Sequence, residues 1–419
     1  FHQIYENSIK ISKSYTNRNG ILVFSHAFHG RTQMTMSMTY KEDPYKKGFG
    51  PFVDNIYRIE FPTEKLDLTK LDFDPETIAC VVIEPIAAMN KQANWCSWHN
   101  EDSLKKNFNS IKGIWDKWRI IDQNNVIEHI SPHYKYACID AAKYLCEIEN
   151  FLIAQDIEIL RDKAQFISTK DNRKEIICES RTINATHVYD SRPPAIKKGS
   201  LKQHFYGIEI ELESGVKNHE SVTLMDFRAD QRSGLHFIYA LPFNNSRIFV
   251  ESTVISENIK PKSWYKKMII QWLENQNLTF KTIISEESGV ISQVLQDNRH
   301  EEAHQIGSRG GATRLASGYA FHNINNQIKL LSENIDANNY SVPDVMSSFL
   351  INMDLIFNRV LINNPSLSVD LFIKMARSLS GDQFSEFMLN KANFKIWCKV
   401  IMRMPKTPFL KESIKIFLD

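Results

Sequence analysis

Apolar positions along this chain change their period several times, and each change predicts a different element. From Tyr5 to Tyr15, Ile9, Ile11 and Tyr15 stand among polar residues at helical spacing, which predicts a short amphipathic helix. Asn19-Gly20 signals a turn, Ile21 to Phe24 a short strand, and Ser25 to Arg31 a loop. Ala79 to Ile83 predicts a buried parallel strand closed by Glu84-Pro85. The stretch from Lys91 to Trp118 is aromatic and reads as irregular. Between Tyr136 and Leu160, Ala141, Ala142, Leu145, Cys146, Ile148 and Leu152 predict a helix. Strand-like runs follow at Glu175–Cys178 and His187–Tyr189. His204 to Glu213 then alternates cleanly, with Tyr206, Ile208, Ile210 and Leu212 on one face and Glu209, Glu211 and Glu213 on the other. Phe237–Leu241 and Arg247–Ser252 continue as strands across a turn at Pro242–Asn245. Helical periodicity returns at Ser317–Leu331 and over most of the chain after Val342. The expected class is mixed α/β, a strand-rich centre between helical parts.

Composition narrows this picture mainly by exclusion. The 419 residues are 42% apolar and 24% charged, as in a folded chain of one large or two ordinary domains. A net charge of +2 gives no field that would gather nucleic acid. The six cysteines form no CxxC pair, so neither a metal site nor a disulfide framework is expected, and a reducing, cytoplasmic setting follows. No apolar run reaches the roughly 18–20 residues of a spanning helix. Membrane contact, where it occurs, is expected to be peripheral, at the inner face. The lysine-rich tail from Lys391 to Lys415, interleaved with Phe394, Trp397 and Phe409, suits such a surface.

The first part of the chain carries three blocks in order: ENSIKISKSYTNRNGILVFSHAFHGRTQMTMSMT, YKKGFGPFVDNIYRI and DFDPETIACVVIEPI. Together, over about residues 5–86, they resemble class III aminotransferases of the 4-aminobutyrate type. The resemblance places Phe28 and His29 at the turn that stacks on the pyridoxal ring. It places the catalytic lysine and the acidic partner of the pyridinium nitrogen beyond the Glu-Pro block, where this sequence has changed to other text. Pyridoxal phosphate is therefore not expected to bind.

A second set of blocks runs to the C-terminus: NWCSWHNED, YDSRP, QHFYGIEIE, LMDFRADQRSGLHFIYALPF, RIFVESTVIS, ESGVI, IGSRGGATRLASGYAFHNINNQ, DLIFNRVL and DQFSEFM. This part, residues 87–419 behind an aminotransferase-like 1–86, resembles the lycopene cyclases. The resemblance implies a flavoprotein fold with an inserted substrate domain. It also implies non-redox ring closure of lycopene or a related polyene, with reduced FAD bound. Protonating a terminal double bond needs a carboxylic acid kept neutral in an apolar pocket. The resemblance assigns that role to Glu209, with Asp226 as a second candidate and with Phe205 and Tyr206 in the substrate pocket. Gly307, Gly310, Gly311, Gly318 and Tyr319 fall in its flavin-contacting segment, Ile306–Phe321, which leads into a helix expected near Ser317 or Gly318 and where glycines admit close backbone approach.

The sequence departs from the family upstream. No Gly-x-Gly-x-x-Gly turn occurs before Trp95, although that turn cradles a dinucleotide pyrophosphate. Glu84 is either the ribose-binding acid or a remnant of the aminotransferase strand. Two functional readings stand: a flavin-dependent cyclase, or a non-catalytic fused product carrying an inactive aminotransferase fragment.

Overall fold

The structure is a computed structural model that describes the chain except residues 1, 26, 28, 30–31, 44, 60–70, 82–92, 107, 171–172, 217–218, 296–301 and 419. It forms two compact units, Phe1–Lys91 and Gln92–Asp419. The first contains α1 (His2–Thr16), β1 (Gly20–Phe24), α2 (Gln33–Met38), β2 (Ile56–Ile59) and β3 (Ile78–Val81). Its strands form a parallel sheet in the order β2-β1-β3. The expected helix and strands are present, but the helix buries Ile9 and leaves Ile11 and Tyr15 in solvent. Val81 on β3 is exposed as well, so that strand is not the fully buried one its apolar run predicts. Phe28 and Glu84 lie outside the described residues.

The second unit is built on a seven-stranded mixed sheet. In chain order its elements begin with β4 (Asn94–His99), α3 (Glu101–Lys106), β5 (Ile111–Trp115), β6 (Lys117–Ile121), β7 (Val126–Ile130), β8 (Lys135–Asp140) and α4 (Ala141–Ala154). The aromatic stretch read as irregular thus holds two strands, a short helix between them and the start of a third strand. Tyr136 belongs to a strand, and the helix begins only at Ala141, where the Asp140 side chain accepts a hydrogen bond from the Lys143 amide. A small meander follows: β9 (Ala164–Lys170), β10 (Arg173–Cys178) and β11 (Thr182–Ala185), then β12 (Tyr189–Asp190).

The large sheet takes its other strands from β13 (Lys202–Leu212), β14 (Ser221–Asp226), β15 (Leu235–Pro242), β16 (Arg247–Ser256) and β17 (Phe280–Ser292), with α5 (Lys262–Asn275) between the last two. Its order is β17-β13-β16-β15-β14-β6-β7. One face packs Tyr206, Ile208, Ile210, Val250 and Val254 against Tyr265, Ile269 and Leu273 of α5. After β18 (His304–Gln305), which pairs with β12, come α6 (Phe321–Asp336), α7 (Ser348–Asn363), α8 (Ser368–Ser378), α9 (Gly381–Met388), α10 (Phe394–Arg403) and α11 (Lys406–Leu418). The four-residue delay of α6 behind its predicted start has a local cause. Gly318 takes φ +73°, a left-handed turn that a helix cannot include. The second face of the sheet, the three-stranded sheet β4-β8-β5 and helices α7–α10 share one apolar core rich in Trp, Phe and Met.

Candidate functional site

That second face does not close completely. A cavity of about 1200 Å³ lies within the second unit, bounded by the large sheet, by β4 and β8, by the 308–321 segment and by helices α7–α11. Its wall is mostly aliphatic and aromatic, as expected of a pocket for an apolar ligand.

Strand register explains how polar groups come to stand in this wall. On β13, Phe205, Gly207 and Glu209 alternate away from the face buried by α5. Gly207 pairs with Glu251 of β16 on one side and with Glu287 of β17 on the other, and Glu251 pairs onward with Tyr239 of β15. Four adjacent strands therefore present a row Glu287–Gly207–Glu251–Tyr239 on one face. Glycine is required in this row: a Cβ at 207 would lie 2.3 Å from the Phe249 ring.

Glu251, Glu287 and Tyr239 line the cavity. Glu251 is 8% exposed, and its described partner is the Thr253 hydroxyl. Burial, and then the charge of Glu287, push its carboxyl up to about 8. Burial also raises Glu287, to about 7, against hydrogen bonds from Asn94 and the charge of Lys112. A carboxyl pair of this kind holds a proton at neutral pH, and the proton belongs to the pair.

The row continues into an aromatic box. The Tyr136 hydroxyl lies 2.9 Å from that of Tyr239 and 3.1 Å from that of Tyr319. Trp98 packs edge-on to Tyr136 at 4.8 Å and lies 5.6 Å from both Tyr319 and Phe384. Burial raises all three phenols, so they remain neutral hydroxyls. Aromatic faces beside an acid can stabilise a cation formed by proton transfer. At another wall, Arg314 faces Asp354 at 3.4 Å, donates to the Phe387 carbonyl and lies over the Phe387 ring.

The residues expected from sequence fall in four different situations. Glu209 is buried, but its oxygens are taken by Lys112 at 2.5 Å and by Arg247, and it is not among the cavity-lining residues. Asp226 ends β14 away from the cavity and accepts bonds from Arg228 Nε at 2.8 Å and Trp272 Nε1 at 2.9 Å. Its burial would raise the carboxyl, but those bonds outweigh it and the net direction is down. That is a structural carboxylate, not an acid held neutral. Phe205 lines the cavity, but Tyr206 does not: alternation puts it on the opposite face beneath α5. Gly318 and Tyr319 are on the wall together with Ser308 and Thr313.

Gly307, Gly310 and Gly311 form a tight turn just behind this part of the wall. Gly307 and Gly311 have φ of +63° and +78°, and a Cβ at Gly310 would collide with the Gln305 carbonyl at 2.4 Å. The buried Gln327 side chain of α6 accepts from the Gly307 amide at 2.7 Å and donates to the Gly310 carbonyl at 3.1 Å. The amides of Gly310, Ala312 and Gly318 are satisfied within the segment. The 308–319 wall thus suits the ring-bearing half of a dinucleotide, whereas the turn is occupied with its own hydrogen bonds and offers an anion little.

Sequence reasoning missed Glu251 and Glu287. A signal was available: each is a carboxylate inside a strand-length block, RIFVESTVIS or ESGVI, at the parity of residues that face Phe205 and Gly207. In the first unit His29 is buried and lowered to about 4 by burial and then by the Arg58 charge. No cluster of three or more metal-ligating side chains occurs among the described residues.

Comparison with known proteins gives two family matches. The model for lycopene cyclase protein matches residues 71–348, and that for class-III aminotransferases matches residues 4–90. Over the first segment the chain is 42% identical across 100 residues to a probable 4-aminobutyrate aminotransferase of Bacillus subtilis (strain 168), covering 19% of this chain and 23% of that protein. It is 37% identical across 93 residues to the 4-aminobutyrate aminotransferase of Escherichia coli (strain K12), covering 19% and 22%. The chain thus spans less than a quarter of the length of these relatives. Among solved structures, a geranylgeranyl bacteriochlorophyll reductase-like protein of Thermoplasma acidophilum aligns with TM-score 0.47 at 11% identity, covering 94% of this chain and 98% of that one. A flavoprotein/dehydrogenase of Cytophaga hutchinsonii aligns with TM-score 0.46 at 10% identity, covering 92% and 99%.

Proposed function

The chain belongs to the lycopene cyclase protein family, and from that premise we propose that it closes end rings on lycopene or a related polyene without net oxidation. The observation that carries this reading is the neutral-prone Glu251 on the wall of a large apolar cavity, next to an aromatic box. Glu251 delivers its proton to a terminal carbon–carbon double bond. The rings of Trp98, Tyr136 and Tyr319 face the cation that follows, and the apolar wall excludes water that would trap it. The role first assigned to Glu209 passes to Glu251, because Glu209 is bound to Lys112 and Arg247 away from the cavity.

FAD is the proposed cofactor, with Ser308, Thr313, Gly318 and Tyr319 beside its ring system. Bound in reduced form, it would supply an electron-rich face that stabilises positive charge. The polyene is taken up from a bilayer surface. No helix among the described residues is long and apolar enough to cross one, which leaves a peripheral approach through exposed apolar residues such as Met402 and Leu410 on α10 and α11.

The test is conversion of lycopene by the purified chain supplied with reduced FAD. Glu251→Gln should lower turnover about 10²–10⁴-fold, while Glu209→Gln leaves the cavity acid in place. Equal activity of Glu251→Gln and wild type would remove the assignment. The class-III match confined to residues 4–90 favours a second reading, a fused product without catalysis. Flavin absorbance retained after desalting separates the two, since the second reading expects a bare protein spectrum.

A further inference from the structure

A carbocation made by one acid must be discharged by a base, and the wall holds a second carboxyl in the right row. Glu287 stands two strands from Glu251, which places their backbones about 10 Å apart. The residue between them is Gly207, which carries no side chain, and the Phe249 ring leans over it. Both glutamates line the same cavity.

Their hydrogen-bond surroundings differ in a way that divides the labour. Glu287 Oε2 accepts from the Asn94 amide at 2.9 Å and from Asn94 Nδ2 at 2.8 Å. The Asn94 side chain is itself oriented by Lys112, whose Nζ donates to Asn94 Oδ1 at 3.1 Å. Two N–H donors and a nearby cation favour a carboxylate at Glu287. Among the described residues, Glu251 has a single hydroxyl donor, from Thr253. Among the described residues, the charged groups around Glu287 are Lys112 from β5, Glu209 from β13 and Glu251 from β16, and Arg247 joins them through Glu209.

We propose that Glu287 is the proton acceptor of this site: Glu251 gives the proton that opens the reaction and Glu287 takes the one that ends it. The inference rests on the cyclase reading above. The O–H bond of Glu251 breaks as a C–H bond forms at the terminal double bond. The electron pair of a neighbouring double bond then makes the ring carbon–carbon bond. A C–H bond of the resulting ring cation breaks, its pair becomes the ring double bond, and its proton forms an O–H bond on Glu287. The proton lent to the substrate as a cation forms is matched by the one returned to Glu287, and transfer from Glu287 back to Glu251 resets the site with no oxidant or reductant.

Two measurements test this. In the first, lycopene is supplied to wild type, Glu287→Gln and Glu287→Asp. Gln can still accept both Asn94 bonds, so the fold should persist while turnover falls about 100-fold. Residual product should carry a hydroxyl from water capture of the cation, and Asp should restore part of the rate. Wild-type rate and product in Glu287→Gln would overturn the assignment. In the second, infrared spectra of the purified chain follow the protonated-carboxyl band against pH without substrate. The component of the band that persists to about pH 8 should be lost in Glu251→Gln, and in Glu287→Gln it should persist with its midpoint moved to lower pH. A midpoint indifferent to Glu287 would overturn the pairing. If wild type never cyclises lycopene but the midpoint shifts as expected, the cyclase reading fails and the proton-sharing pair stands.

Discussion

The two faces of the seven-stranded sheet use the same strands to opposite ends. Beneath α5, side chains interdigitate, and buried polar groups find partners: Tyr265 with His204 at 2.6 Å, His236 with Ser252 at 2.9 Å, and the Asp226 carboxylate with Trp272 at 2.9 Å. Burial lowers both histidines, that of His204 to about 4, so this face carries no histidine charge at neutral pH. On the opposite face glycine replaces bulk at Gly207 and Gly289, rings of Phe249 and Phe205 lean over the gaps, and two carboxyls border open space. The same alternation thus separates a face that holds the fold together from one that stores protons at a cost in stability.

Truncation should reveal this asymmetry most strongly. Ile269→Ala removes a fully buried side chain from the α5 face and should cost about 2–5 kcal/mol in urea unfolding. Ile291→Ala, on the cavity wall, should cost only about 1 kcal/mol, because its side chain already borders a void. Equal costs would mean that the cavity face is as tightly packed as the other. Next in size is Gly207→Ala. Its Cβ must displace the Phe249 ring, for about 1–3 kcal/mol of stability. In a Phe249→Leu background most of that cost should vanish, and additive costs would show that the ring is not the obstacle.

The sequence made one of these faces legible and left the other obscure. Tyr206, Ile208, Ile210 and Leu212 announce their face by period two, and the structure buries all four. Polar residues of the opposite parity look like a solvated edge, so pattern alone cannot tell the buried Glu209 from the exposed Glu213. Neither can it reveal that Glu251 and Glu287, 36 residues apart in sequence, flank Gly207 on one face of the sheet. That follows only from register, which depends on how β16 and β17 pair with β13. The family blocks were readable because they are contiguous. The cavity was not, since its walls come from segments spread between Ala93 and Ser413. Trp98 lay in a stretch whose aromatic content masked its strand pairing, and Tyr136 stood at the head of one read as a helix.

The last predicted effect concerns protons on the cavity face. Glu251 and Glu287 titrate near 8 and 7 in the folded chain, above the ordinary carboxyl value of 4.5. Between those limits the unfolded chain has released protons that the native chain still holds. Their contribution to stability is therefore fully present below the ordinary carboxyl range and is lost as pH rises through 7 to 8. The slope for one retained proton is at most about 1.4 kcal/mol per pH unit. Urea unfolding at a series of pH values from 5 to about 8 should show wild type losing stability along this window. Glu251→Gln should lose less over the same range, because the amide has no proton to release. The α5-face variant Ile269→Ala should be displaced downward by a constant amount, with the wild-type slope. A slope unchanged in Glu251→Gln would mean that the retained proton resides elsewhere, and the contrast between the two faces would then rest on packing alone.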